Sequence, residues 1–181
     1  MSASTSVPNA LARFSDGIDH VAFGSRDLDR AQDLLARLGL SHTPVAEARW
    51  PEADGPHLAR TLSVMLEDGY LDVIELPAAP SDLDCTGVVL RTADLAEARA
   101  GLIEAGIRCA RPYSISRSFQ GAGPDQHYEI FGIEPRHASG LPQSLIETRP
   151  AAPMQNRSPH STSVCSIAGA ARLLGVEFDE A

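Results

Sequence analysis

The chain has no lysine: all 15 of its basic residues are arginine. A Schiff-base mechanism needs a side-chain primary amine and is excluded outright. Aromatic residues are scarce, at 5%, which argues against a pocket that works by stacking planar ligands. Cysteine occurs only at Cys85, Cys109 and Cys165. This odd number without metal-type spacing gives no disulfide framework and fits a reducing cytoplasm. Positive charge is also short. With 24 acidic residues the net charge is −9 and the isoelectric point is near 5.0, so no basic stripe is available for nucleic acid. No apolar run can span a bilayer, and MSASTSVPNALARF has neither a charged nor an apolar signal region. A soluble cytoplasmic protein without a membrane or nucleic-acid partner is the expectation. Nucleophile-elbow, Walker and dinucleotide-binding motifs are missing, and Gly121-Ala122-Gly123-Pro124 reads as a flexible loop.

What the chain does have is a strand, a turn and a helix in Gly17–Leu40, GIDHVAFGSRDLDRAQDLLARLGL. Ile18, His20 and Ala22 alternate with Val21 and Phe23, so a histidine interrupts an apolar face. Asp27 caps the next helix, where Leu28, Ala31, Leu34, Leu35 and Leu38 recur at helical spacing until Gly39 stops it. The unit returns without a gap: DLDRAQDLLARLGL at 27–40 lies over DLAEARAGLIEAGI at 94–107, an offset of 67 residues. The second copy carries Gly87 where the first carries His20. A repeat of this length sets the architecture.

Four segments follow in chain order: a leader at 1–16, a first module at 17–77, a second at 84–149, and a linker with a tail at 150–181. The leader reads as loose, with a short turn of helix at Asn9–Phe14. In the first module His42–Val45 reads as a short strand, and Ala46–Pro56 as a breaker-rich loop. Strands follow at Thr61–Leu66 and Tyr70–Leu76 around a turn at Glu67-Asp68-Gly69. The second module reads as strands at 86–91, within 108–116, at 128–133 and at 144–148. The expected class is α+β: two βαβββ modules forming a partly open, pseudo-symmetric β-barrel with outer helices.

Two glutamates end equivalent strands, Val73-Ile74-Glu75 and Leu145-Ile146-Glu147. One alone reads as a strand end turned to solvent. A duplicated pair points instead to a shared charge or metal, because buried carboxylates need a partner.

These features resemble the vicinal oxygen chelate superfamily, the glyoxalase and bleomycin-resistance fold. The glyoxalase-like branch is matched more narrowly through His57-Leu58-Ala59-Arg60-Thr61, Asp68–Glu75, Leu141–Glu147 and Ser158-Pro159-His160, so that the likeness covers residues 17–160. The resemblance implies a divalent metal, Zn²⁺, Mn²⁺, Fe²⁺ or Ni²⁺, held by His20, Glu75 and Glu147, with Gly87 leaving the fourth position to water or substrate. Gly87 disfavours a two-histidine iron triad, and with it a ring-cleaving dioxygenase. The preferred function is a metal-dependent lyase, isomerase or hydrolase acting on a small oxygen-rich metabolite, with Glu147 or His127 moving the proton. The alternative is metal-free binding or sequestration of a small molecule. His127 is the best substitute ligand or base, and His57 is a weaker candidate for lining the pocket. His42, His137 and His160 read as surface groups. Arg60, Arg91, Arg117 and Arg149 are surface residues by default and carboxylate holders otherwise. The loops at Ala46–Leu58 and Phe119–His127 are expected to lid the cavity.

Leu173, Leu174, Val176 and Phe178 make the tail too apolar to stand in water, so it should dock on the domain or on a second copy as a homodimer. Each docked side chain would bury area worth about 1.5–3 kcal/mol. Truncation after Pro150 is expected to lower the melting temperature or change the oligomeric state. A chain unaffected in both would show the tail to be dispensable.

Overall fold

The computed structural model describes residues 7–52, 55–66, 68–119, 125–133 and 143–149, with 7–10, 52 and 143–149 described in backbone only. In chain order the elements are α1 (Val7–Phe14), β1 (Ile18–Ser25), α2 (Leu28–Arg37), β2 (Ala46–Glu52), β3 (Gly55–Met65), β4 (Tyr70–Glu75), β5 (Asp84–Arg91), α3 (Leu95–Glu104), β6 (Tyr113–Ser118), β7 (Gln126–Ile133) and β8 (Gln143–Arg149).

The two long helices keep the offset of the repeat. Asp27 Oδ1 accepts from the N–H groups of Asp29 and Arg30 at 3.0 and 3.2 Å, and Asp94 Oδ1 accepts from Glu97 N–H at 2.8 Å. Each cap satisfies donors that the first helical turn leaves open. Each helix is followed by a glycine in the left-handed region, Gly39 at φ 73° and Gly106 at φ 82°, where a Cβ would be strained.

Eight strands pair in the order β1-β4-β3-β2-β6-β7-β8-β5, and the ring closes through antiparallel β1 and β5. Within each module the first and last strands pair in parallel, β1 with β4 and β5 with β8, as the βα crossovers require. The two modules form the pseudo-symmetric barrel that the sequence implies, and its two seams differ. β1 and β5 share six register pairs, whereas β2 and β6 share three, from Glu47↔Ser118 to Arg49↔Ser116.

Leu28, Ala31 and Leu35 of α2 pack with Leu62, Val64 and Val73, and Leu95, Ala98 and Leu102 of α3 pack with Phe131 and Ile133. Both helices therefore cover the barrel from outside, and the opposite strand faces form its interior. Among the described residues, no helix is long and apolar enough to cross a membrane.

Three expectations need correction. The stretch expected to be a loop at Ala46–Pro56 contains β2 and the start of β3. Ala46 and Ala48, both buried, stand opposite Thr61 and Ala59, and this alternation outweighs the breakers. Pro51 and Pro56 stand opposite each other at the far end, where neither needs a ladder N–H. Residues 42–45 form no strand. Within the leader, Val7–Phe14 form a helix rather than a loose stretch with a short turn, with Leu11 buried and Phe14 packed against the α3 core. The tail, the loop at 120–124, His137 and His160 lie outside the described residues.

Phe14 explains why α3 carries a glycine in its middle. A Cβ on Gly101 would lie 2.1 Å from Phe14 Cζ, so Gly101→Ala should displace α1 and destabilise the protein. In a Phe14→Ala background the same change should stabilise by roughly 0.8–1 kcal/mol, through helix propensity alone. Denaturant unfolding of the four proteins in the cycle reads this sign reversal, and the same sign in both backgrounds would show that Phe14 does not dictate Gly101.

Candidate functional site in the barrel interior

Strand alternation decides which groups enter the barrel. Leu71 and Val73 of β4 pack in the α2 cluster, so Tyr70, Asp72 and Ile74 turn the other way. Asp72 is only 2% exposed. Its Oδ1 accepts from Thr61 Oγ1 at 3.1 Å and Ser63 Oγ at 2.9 Å, and its Oδ2 accepts from Arg117 Nη2 at 2.6 Å. Arg117 reaches across the narrow seam from β6, where it pairs in register with Ala48. Its Nη1 donates to Ser63 Oγ at 3.1 Å. Its Nε–H, also buried, finds no acceptor among the described residues.

A second polar pair lies on β1. The β1–β5 register shifts between Ile18 and His20, and this irregularity lets consecutive residues, Asp19 and His20, both be buried. Asp19 Oδ1 lies 2.8 Å from His20 Nδ1. A carboxylate can only accept, so an imidazole proton sits on Nδ1, and in the neutral ring Nε2 is then the nitrogen with the lone pair. The His20 ring stacks on Tyr70 with centroids 4.5 Å apart and planes inclined by 20°.

Tyr70 links the two pairs. Burial, reinforced by the charge of Asp19, holds its phenol well above the ordinary value, with Arg117 opposing. Tyr128 is pushed up to about 12, again chiefly by burial. Burial alone would lower the Arg117 pKa, but Asp72 and the two tyrosines raise it above the usual arginine value. At neutral pH the interior thus holds a cationic guanidinium and two neutral phenols.

The residues expected to hold a metal are not all brought together. His20 is inside. Glu75 shares the outer face of β4 with Leu71 and Val73, and its Oε1 accepts from Leu28 N–H at 3.3 Å and Arg60 Nη1 at 3.2 Å. It is thus committed to the positive end of α2 and a cation. Gly87 stands opposite Ala22. Glu147 pairs in register with Glu129, and its side chain lies outside the described atoms. No group of three or more His, Cys, Asp or Glu able to hold a metal occurs among the described residues. The donor set the resemblance implies therefore does not fit the described part of the barrel, on the ground that Glu75 faces α2.

His127 is exposed on β7, and alternation puts it on the face opposite Tyr128 rather than with His20. His42 is held by Thr43 O at 2.7 Å from Nδ1. Arg60 pairs with Asp29 and Glu75, and Arg91 with Asp68. Sequence reasoning missed Asp19, Tyr70, Asp72 and Tyr128 and treated Arg117 as a surface group. The signal for Asp72 was available: it alternates with Val73, which has to cover α2.

An open cleft of about 430 Å³ lies where the thin seam ends. Beyond Arg49↔Ser116 the pairing stops, and the cleft opens between Trp50-Pro51 and Ser114-Ile115, with His127 on its rim. Trp50 stacks on His57 with centroids 4.5 Å apart.

No protein-family model and no curated protein matches the chain in sequence. Solved structures do match in fold. A methylmalonyl-CoA epimerase from Mycobacterium tuberculosis aligns at TM-score 0.53 and 21% identity, over 83% of this chain and 94% of its own. A hypothetical protein from Bacillus halodurans aligns at 0.54 and 12% identity, over 75% and 96%. A methylmalonyl-CoA epimerase in complex with methylmalonyl-CoA and NH4+ aligns at 0.53 and 15% identity, over 76% and 96%. The chain shares the fold of these structures, in line with the resemblance to the vicinal oxygen chelate superfamily that its opening motif and repeat carry.

The interior makes the protein sensitive to alkali. All three tyrosines, Tyr70, Tyr113 and Tyr128, have raised pKa values. The folded state then holds protons that the unfolded chain releases from about pH 10, so stability should fall as pH rises from about 10 toward 12. Phenolate absorbance should appear together with unfolding. A tyrosine that titrates at its ordinary value while the fold persists would contradict this.

Proposed function

Because the chain has the vicinal oxygen chelate fold, we propose that it is a proton-transfer enzyme of the isomerase or epimerase type. It acts on a small oxygen-rich metabolite inside the barrel, with His20 as general base. The observation that carries this reading is the 2.8 Å contact of Asp19 Oδ1 with His20 Nδ1 in a buried position. Asp19 is the positioning residue: it fixes the tautomer and leaves Nε2 to take a proton from carbon and return it. Tyr70 holds the ring plane by stacking. The fold shared with methylmalonyl-CoA epimerases supports the reaction class. The commitment of Glu75 to α2 speaks for chemistry that does not depend on a metal held by that residue. Cys85 and Cys109 are not joined in a disulfide, which suits a reducing cytoplasm.

Metal-free binding without turnover is the second reading, favoured by the Trp50–His57 stack at the cleft. Proton exchange separates the two. After dialysis against a chelator, the protein in heavy water should exchange the α-proton of a small uncharged carbonyl substrate. His20→Gln should slow that exchange on the order of a hundredfold or more. Activity lost on chelation and restored by a divalent ion would return the metal to the mechanism. Binding with no exchange would establish the sequestering reading.

A further inference from the structure

Arg117 is spent in an uneven way. Nη2 is taken by Asp72 and Nη1 by Ser63, both at hydrogen-bond distance, while Nε–H lacks an acceptor among the described residues although the side chain is only 10% exposed. A buried N–H without a partner is costly and rare enough to need an occupant. The groups around it limit what that occupant can be. Asp72 pairs with Arg117, Asp19 pairs with His20, and Tyr70 and Tyr128 are neutral phenols. The guanidinium is thus already balanced by Asp72. A second anion seated here would be a buried charge without a counterion. A neutral oxygen would complete the hydrogen bonding without that penalty.

Access follows from the seam. Trp50 and Ile115 line the cleft, and each lies two residues along its strand from the register pair Ala48↔Arg117, on the same strand faces. Arg49, Ser116 and His127 line the same cleft from the opposite strand faces, so it lies at the edge of the seam, beside the face that carries Arg117.

We infer that Arg117 Nε is a recognition point for a neutral oxygen acceptor of the ligand, a carbonyl or carboxamide oxygen admitted between β2 and β6, and that the charge balance around it discriminates against carboxylates. The inference deepens the proton-transfer reading, and only its catalytic consequence rests on that reading. When His20 Nε2 takes the α-proton, the C–H electron pair becomes the carbon–carbon π bond and the carbonyl π pair moves onto oxygen. Arg117 Nε–H then donates to the oxygen where charge accumulates. Return of the proton from His20 to the opposite face of that carbon once the enolate has turned, or to the neighbouring carbon of an enediolate, restores a carbonyl as the epimer or isomer, with no net redox change.

Acetamide and acetate are nearly isosteric and differ in charge, so they serve as probes. Heteronuclear NMR of the isotopically labelled full chain follows the Arg117 Nε–H resonance, assigned through its own backbone so that no variant is needed. Acetamide should shift this resonance saturably, and acetate should bind at least about tenfold more weakly. Equal or tighter binding of acetate would overturn the selectivity. A resonance that neither probe moves and that exchanges with a resident water would overturn the site. Arg117→Lys, which keeps the charge opposite Asp72 but lacks Nε, should lose acetamide binding. His20→Gln should keep the shift: loss of exchange with the shift intact then defeats only the proton-transfer reading, and exchange without any shift defeats only this one.

Discussion

The Asp72–Arg117 pair is the contact on which the interior depends. It joins β4 of the first module to β6 of the second at 2.6 Å, across a barrel whose adjacent seam has only three register pairs. Ser63 bonds both partners, and Thr61 takes a further lone pair of Asp72. A buried pair of this kind gives little net stability compared with a well-packed apolar pair. Loss of one partner, by contrast, leaves a bare charge, an effect of about 3–5 kcal/mol. Its consequence is therefore specificity: the two modules meet in the one register that brings the carboxylate to the guanidinium. The same commitment leaves the Arg117 Nε–H without an acceptor among the described residues and balances the positive charge that an anionic ligand would seek.

The helical layer and the repeat were legible because their signals are local. Asp27 and Asp94, the apolar rows after them, and Gly39 and Gly106 are fixed by capping and by the conformational freedom of glycine, and these are the bounds the structure has. The strand faces were harder to read. In Tyr70–Glu75 the charged residues Asp72 and Glu75 have opposite parity, and a choice of face for one decides the other. The resemblance favoured Glu75 for the interior. Val73 settles it the other way, because it must lie under Leu28 and Leu35. Breakers misled at Ala46–Pro56, where two prolines occupy ladder positions that need no donor. Arg117 could not be told from a surface arginine, since its burial arises from a partner 45 residues away.

Glu75 shows how one residue can satisfy two physical roles until the fold chooses. A carboxylate at the end of β4 could complete an interior donor set or receive the first N–H of α2. The parallel pairing of β1 with β4 puts Glu75 opposite Ser25, just before the α2 cap. There its negative charge meets the helix N-terminus and Arg60. The β5–β8 register repeats the arrangement, with Arg91↔Ile146 standing where Gly24↔Ile74 stands. Glu147 is thus the backbone equivalent of Glu75.

Duplication supplied two equivalent half-interiors, and they have diverged in chemistry. The half built on β1, β3 and β4 carries Asp19, His20, Thr61, Ser63 and Asp72, all buried. The half built on β5, β6 and β7 packs Val89 and Ile130 with Tyr113, Ile115 and Tyr128. Gly87 belongs to that second half, where it faces Ala22 and contributes no functional group. Proton transfer needs a polar end to hold and charge the reacting atoms, and an apolar end to exclude water and orient the rest of the ligand. A barrel closed at one seam and thin at the other brings these halves face to face, and the cleft opens where the second seam ends.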